Sequence, residues 1–240
     1  EDAVVGHEYT ATTGIGHTRW ATHGKVEDRN AHPQVDCRGS IAVIHNGIIE
    51  NYQTLREELV RKGHTFKSET DTEVIAHLME EQIDAGADVR EAARKTALQL
   101  EGAFAFLVLA KAFPGRIIAV RKLSPLVLGV GNGEMILGSD TPALLEYTNR
   151  IIPLHDGDVV EINEKGYFFS SLEDGRSLDR PPMTVQWNAA AAEKQGYKHF
   201  MLKEIYEQPV VIRDTLYGRL DIENGRVDLK LDVQEGGIAY

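Results

Sequence analysis

A change of texture at Ala103 limits the folds open to this sequence. Upstream, residues 50–62 carry apolar side chains at helical spacing through Tyr52, Leu55 and Leu59. The acidic run Ser68-Glu69-Thr70-Asp71-Thr72-Glu73 then precedes Val74, Ile75, Leu78 and Met79, the pattern of a helix with an acidic first turn. Another helix is predicted over residues 89–100. Downstream the pattern becomes that of strands, at 104–110, 116–121, 126–129, 135–137, 158–162 and 167–170, separated by turn residues. One short helix interrupts them, opened by Ser139-Asp140-Thr141-Pro142-Ala143 with a capping serine or aspartate and a proline in the first turn. Strands are also predicted at 13–21 and at Ile41-Ala42-Val43-Ile44, so helices are bracketed by two groups of strands. That order implies a layered α+β domain with sheets inside and helices outside.

A chain of 240 residues accommodates one large domain with an appendage. The polar, proline-containing stretch through Arg180-Pro181-Pro182 marks the domain edge, giving a domain over residues 1–180 and a linker over 181–240. Within that linker residues 187–194 are Ala-rich and predicted helical, while Pro209 is expected to break or start a helix. A formal charge of −11, with no clustered Lys and Arg, excludes a general nucleic-acid surface. No apolar run is long enough to span a bilayer, so no membrane role is expected. The single cysteine, Cys37, rules out an internal disulfide and fits a reducing compartment, which is read as the cytoplasm.

The chemistry is concentrated in His17-Thr18-Arg19-Trp20-Ala21-Thr22-His23-Gly24. Imidazole, guanidinium and indole nitrogens all need partners when buried, so a core strand avoids setting them side by side. A recognition loop collects them. His32, in Asn30-Ala31-His32-Pro33, has no local partner, and spacing alone favours a capping or solvent position. After Ile44 the chain enters His45-Asn46-Gly47, where a turn into the following helix would point backbone amides at a ligand beyond the strand end. Asp71 serves either the dipole of its helix or a ligand's ammonium group, and spacing does not separate the two. Cys37 is read as incidental. The histidines lie on separate segments without metal-ligand spacing, so no metal and no cofactor are expected.

Taken together, the His17-to-Gly24 run, Asn30-Ala31-His32-Pro33, His45-Asn46-Gly47-Ile48-Ile49-Glu50-Asn51, Glu69-Thr70-Asp71-Thr72-Glu73 and Lys203-Glu204-Ile205-Tyr206-Glu207-Gln208-Pro209 resemble one family in content and order. It is the glutamine-hydrolysing half of the glutamine:fructose-6-phosphate aminotransferases. The resemblance implies a four-layer αββα sandwich of the N-terminal-nucleophile hydrolase type. It also implies hydrolysis of glutamine to glutamate and ammonia, with the ammonia delivered to fructose 6-phosphate to make glucosamine 6-phosphate. In that family a cysteine opening the mature chain attacks the amide and its own α-amino group serves as base. Carried over residue by residue, Arg19 takes the substrate α-carboxylate and Asp71 its α-ammonium. Asn46, through its side-chain amide, and Gly47, through its backbone N–H, form the oxyanion hole. Thr22, His23 and His32 line the pocket. Trp20, whose packing alone suggests a core aromatic, is the gate for ammonia.

The family's first segment, with the nucleophilic cysteine, has no counterpart in these residues, and the sugar isomerase half that should follow is absent too. The residues are therefore expected to be part of a longer polypeptide, with fructose 6-phosphate bound by the absent half and a homodimer as the family's habit. Two alternatives stand beside this reading: a related amidotransferase such as amidophosphoribosyltransferase, and a binding module that senses glutamine without hydrolysing it.

Overall fold

A computed structural model describes residues 11–185, 196–217, 219–221 and 225–227. The chain divides into two units, Glu1–Trp187 and Asn188–Tyr240. The helix predicted over residues 187–194 and the lead-in before residue 11 lie outside the described residues.

In the first unit, one short strand and one long one open the order: β1 (Gln34–Val35) and β2 (Ile41–Ile49) precede α1 (Tyr52–Arg61), α2 (Glu73–Asp84) and α3 (Val89–Ala97). Then follow β3 (Gly102–Ala110), β4 (Ile117–Lys122), β5 (Val127–Val130), β6 (Met135–Gly138), β7 (Arg150–Pro153), β8 (Asp158–Asn163), β9 (Gly166–Ser171), β10 (Ser177–Leu178) and β11 (Met183–Thr184). They pair antiparallel into a seven-stranded sheet, β1-β2-β3-β4-β8-β9-β10, and a four-stranded sheet, β11-β7-β5-β6.

The larger sheet is covered on both faces, which explains its unbroken apolar runs. Along β3, Phe104, Phe106 and Val108 pack with Val74, Ile75 and Met79 of α2 and Ala92 and Ala93 of α3. The alternate residues Ala105 and Leu107 point the other way, into a second core shared with Leu126, Leu128, Ile152 and Leu154 beneath the smaller sheet. Each fully buried side chain of this size contributes roughly 1.5–3 kcal/mol. The outer side of the smaller sheet carries a third, small cluster of Val127, Leu144 and Ile151. Leu144 follows a 3-10 turn at Thr141–Ala143, where Asp140 caps the Thr141 N–H at 2.7 Å and Pro142 fixes the first turn. The predicted helix there is thus a single turn.

Two strand expectations are corrected, and one strand was missed. Residues 13–21 form no strand; Gly14, Gly16 and the polar run give no period-2 face, and only Ile15 packs on the core between the sheets. β2 does not stop at Ile44 but runs to Ile49, because Gly47 lies opposite Phe104 in the ladder and keeps the strand paired instead of turning it. Strand β7 has no clear pattern in the sequence, being only four residues long with proline at its end.

In the second unit, α4 (Phe200–Leu216) continues through Pro209. Pro209 is exposed, so the carbonyl that its missing N–H leaves unpaired meets water and the helix survives. The strands β12 (Leu220–Asp221) and β13 (Arg226–Val227) pair antiparallel. Among the described residues no helix is long and apolar enough to cross a membrane.

Candidate functional site

The loop before β1 is closed by its own polar groups. Arg19 adopts a left-handed backbone, φ 50°, and its guanidinium donates to the carbonyls of His23 at 3.0 Å, Gly24 at 3.2 Å and Lys25 at 3.0 Å. Three of its five donors therefore hold the loop, and two remain. Gly24, at φ 78°, passes so close to Asn30 that a Cβ would meet its Nδ2 at 2.8 Å. Asn30 is fully buried; its side chain donates to the Lys25 carbonyl at 3.0 Å and accepts from the Glu69 N–H at 2.8 Å. One asparagine thus fastens the loop to the segment that leads into α2.

The acidic run before α2 divides its labour. The Glu73 carboxylate turns back to accept from the Lys67 and Ser68 N–H groups, both at 2.7 Å, and so fixes the approach to the helix. Asp71 points the other way, toward the end of β2, where it accepts from the Ile49 N–H at 2.9 Å. The side chain reserved by sequence for either dipole or ligand thus faces a cavity.

That cavity measures about 240 Å³, below the ~300–1,000 Å³ of sites for drug-sized ligands, so it suits a small metabolite. Arg19, Trp20, Thr22 and His23 line it from the loop, and His32 from the segment leading into β1. Asn46 and Gly47 line it from β2 and Asp71 from the start of α2. All eight residues singled out in the sequence meet there. Trp20 is 88% exposed at its edge, which removes its reading as a core aromatic.

Among the further lining residues to which sequence reasoning assigned no role, His17, His45 and Thr72 make polar contacts within the site. His17 Nδ1 accepts from the Arg19 N–H at 2.8 Å. In a neutral imidazole the proton is then on Nε2, which donates to Asn46 Oδ1 at 2.8 Å. With its oxygen so engaged, Asn46 turns its NH₂ group away from His17 as a free donor. The Thr72 hydroxyl bridges His45 Nδ1 at 3.0 Å and His32 Nε2 at 3.1 Å. The partnerless nitrogens His23 Nδ1, His32 Nδ1 and His45 Nε2 are all buried.

Electrostatics sharpen the picture. Asp71 is 3% exposed, and burial raises its carboxyl above the ordinary value, against the pull of the Ile49 amide and His23. His23 Nδ1 stands 3.9 Å from its Oδ2, too far for a hydrogen bond. A buried carboxylate held by backbone amides, with no cation within hydrogen-bond distance, is a place for a ligand's ammonium group. Burial also pushes His45 down to about 3 and His32 to about 4, with neighbouring imidazoles, and Arg19 beside His32, adding to the effect. These rings are neutral at physiological pH, so the cavity combines one guanidinium, one carboxylate and neutral donors.

A family profile described as "Glutamine amidotransferase domain" matches residues 17–146. Among curated relatives, the chain is 50% identical over 215 residues to a glutamine–fructose-6-phosphate aminotransferase (isomerizing) of Thermococcus kodakarensis, covering 90% of this chain and 36% of the relative. The enzyme of the same name from Aquifex aeolicus is 51% identical, with 92% and 37% covered, and that from Thermus thermophilus 54% identical, with 91% and 35% covered. The chain therefore spans about a third of the length of the curated relatives it matches. Among solved structures, a glutamine phosphoribosylpyrophosphate amidotransferase from B. subtilis, complexed with ADP and GMP, superposes with a TM-score of 0.56 at 25% identity, over 66% of this chain and 34% of that one. A structure described as the allosteric regulatory enzyme of purine biosynthesis gives 0.58 at 26% identity, with the same coverage.

Proposed function

The chain belongs to the glutamine amidotransferase domain family, and from that premise we propose that it is the glutamine-hydrolysing part of an enzyme that passes ammonia to fructose 6-phosphate. Residues 181–240 then lead toward a sugar isomerase half, in a cytoplasmic homodimer. Relatives near 50% identity that carry the aminotransferase name support this reading over an amidophosphoribosyltransferase, whose solved structures share the fold at about half that identity.

The observation that carries the proposal is the convergence of Arg19, Asp71, Asn46 and Gly47 on one cavity of amino-acid size. A donor that Arg19 keeps free, with its positive charge, takes the α-carboxylate of glutamine. Asp71, short of a cation, takes the α-ammonium group. With the zwitterion fixed at both charges, the side-chain amide is directed to the end of β2. There the Asn46 NH₂ group, oriented by His17, and the Gly47 N–H receive the oxygen as it becomes negative, each worth typically about 3 kcal/mol in the transition state. Thr22, His23 and His32 complete the walls. Cys37 is not among the lining residues, so in this reading the thiol comes from the cysteine that opens the family's mature chain. Trp20, exposed at the mouth, closes the route by which ammonia leaves.

Calorimetric titration with L-glutamine tests the head-group assignment. Hydrogen bonds to charged groups are worth ~1.5–3 kcal/mol, so Arg19→Ala and Asp71→Asn are each expected to weaken binding about 10- to 100-fold. Unchanged affinity in either variant removes that residue from the site.

A further inference from the structure

Away from the glutamine cavity, four side chains from three segments converge. Cys37 lies between β1 and β2, His64 follows α1, and His77 and Glu80 lie on α2. Cys37 Sγ is 3.5 Å from both His64 Nδ1 and His77 Nδ1, and the two Nδ1 atoms are 3.3 Å apart. Glu80 Oε2 is 3.1 Å from His64 Nδ1 and 3.4 Å from His77 Nδ1. All four donor atoms fall within 4.8 Å of one another.

Hydrogen bonding does not account for this arrangement. Each Nδ1 carries at most one proton, yet each faces a sulfur, a ring nitrogen and a carboxylate oxygen at nearly equal distance. What the four lone pairs share is one central point. A tetrahedral ion with metal–nitrogen bonds near 2.05 Å and a metal–sulfur bond near 2.3 Å sets its ligand atoms about 3.3 Å apart, or about 3.6 Å where one is sulfur. The five separations above, 3.1 to 3.5 Å, follow that figure.

The surroundings match as well. A metal-bound imidazole commonly offers its other nitrogen to a carboxylate. His77 Nε2, fully buried and without a hydrogen bond, stands 3.6 Å from Glu73 Oε1, and His64 Nε2 stands 3.6 Å from Glu81 Oε1. The Thr65 N–H points at the sulfur at 3.5 Å. Arg38 Nε holds the other Glu80 oxygen at 3.1 Å, while Oε2 accepts the Cys37 N–H at 3.3 Å and keeps a further lone pair for the centre. Thiolate with imidazole selects zinc among the common divalent ions, and four protein ligands leave no open position for water.

We propose that Cys37, His64, His77 and Glu80 form a structural zinc site, which ties the turn before β2 and the segment after α1 to α2. This proposal departs from the reading of Cys37 as incidental: the residues are separated by 27, 13 and 3 positions and meet only through the fold. Because α2 starts directly after Asp71 and Thr72, the ion would stiffen the base of the glutamine cavity without touching it.

The test loads the chain with zinc alone, dialyses it and measures metal by mass spectrometry, with Co(II) substitution as an optical probe. One zinc per chain is expected, with Co(II) giving a thiolate charge-transfer band and the intense visible bands of tetrahedral cobalt. Cys37→Ser is expected to lose the charge-transfer band and to bind zinc at least about 100-fold more weakly, since even outer partners are worth ~10–100-fold. Removing zinc with a chelator should lower the Tm of the wild-type chain and leave that of Cys37→Ser unchanged. Should Cys37→Ser fail to fold, the wild-type cobalt spectrum decides. Less than a tenth of an equivalent of zinc, a weak octahedral cobalt spectrum without charge transfer, or a folded Cys37→Ser that binds zinc as tightly as wild type overturns the proposal.

Discussion

Replacing Gly47 by alanine tests how β2 delivers its end to the cavity. Gly47 lies opposite Phe104 in the β2–β3 ladder at φ 119°. A Cβ at this position would come within 2.0 Å of the Ala103 carbonyl oxygen and 2.9 Å of Phe104 Cα. Both atoms belong to the backbone of β3, which is held on its two edges by β2 and β4, so neither can rotate aside as a side chain would. Two costs add. A side chain at this φ carries roughly 1–3 kcal/mol of strain, and the forced shift of packed backbone roughly 1–3 kcal/mol more. The sum, about 2–6 kcal/mol, is a large share of the ~5–15 kcal/mol that stabilises an ordinary domain. Gly166→Ala supplies the control, because Gly166 has φ 128° but open space around its Cβ position, so it carries the strain without the clash. Urea unfolding followed by circular dichroism should place Gly47→Ala well below Gly166→Ala, and glutamine affinity should fall only in the former as Asn46 is displaced. Equal stability of the two variants would refute the argument that β2 passes against β3 at this residue.

The buried histidines predict a pH dependence. His45 near 3 and His32 near 4, against an ordinary 6.5, bind fewer protons folded than unfolded, so their contribution is complete above about pH 6.5 and is lost as pH falls toward 3. At roughly 1.4 kcal/mol per pH unit, His45 alone costs roughly 2 kcal/mol at pH 5, and His45→Asn should flatten the stability profile between pH 7 and 5; parallel wild-type and variant profiles would show that His45 is not buried neutral. Trp20→Ala, at an exposed position, should leave glutamate release intact while lowering the yield of aminosugar per glutamate in the full-length enzyme. An unchanged ratio of products removes Trp20 from the ammonia route.

Local patterns carried much of the fold. Helices α1 and α2 announced themselves through apolar spacing, and strands β3, β4, β5, β6, β8 and β9 through apolar runs between turn residues. What failed was pairing between distant segments. The sequence of His45-Asn46-Gly47 reads as a turn, but β3 offers a ladder through Ile49, and the glycine serves close approach instead of reversal. The recognition loop follows the same rule. Its residue types were legible because they crowd into eight positions, whereas its closure by Arg19 onto carbonyls 23–25 depends on a left-handed φ that no residue type at that position signals. His17 illustrates the limit most clearly, since its value lies in fixing the direction of the Asn46 amide, 29 residues away. Cys37 and His64 show it at longer reach: neither has a local partner, and only the packing of α2 against β2 and α1 gives them one. A lone reactive side chain in a sequence is therefore neutral information until the contacts of its segment are known, while a dense cluster of them survives almost any fold that keeps the segment exposed.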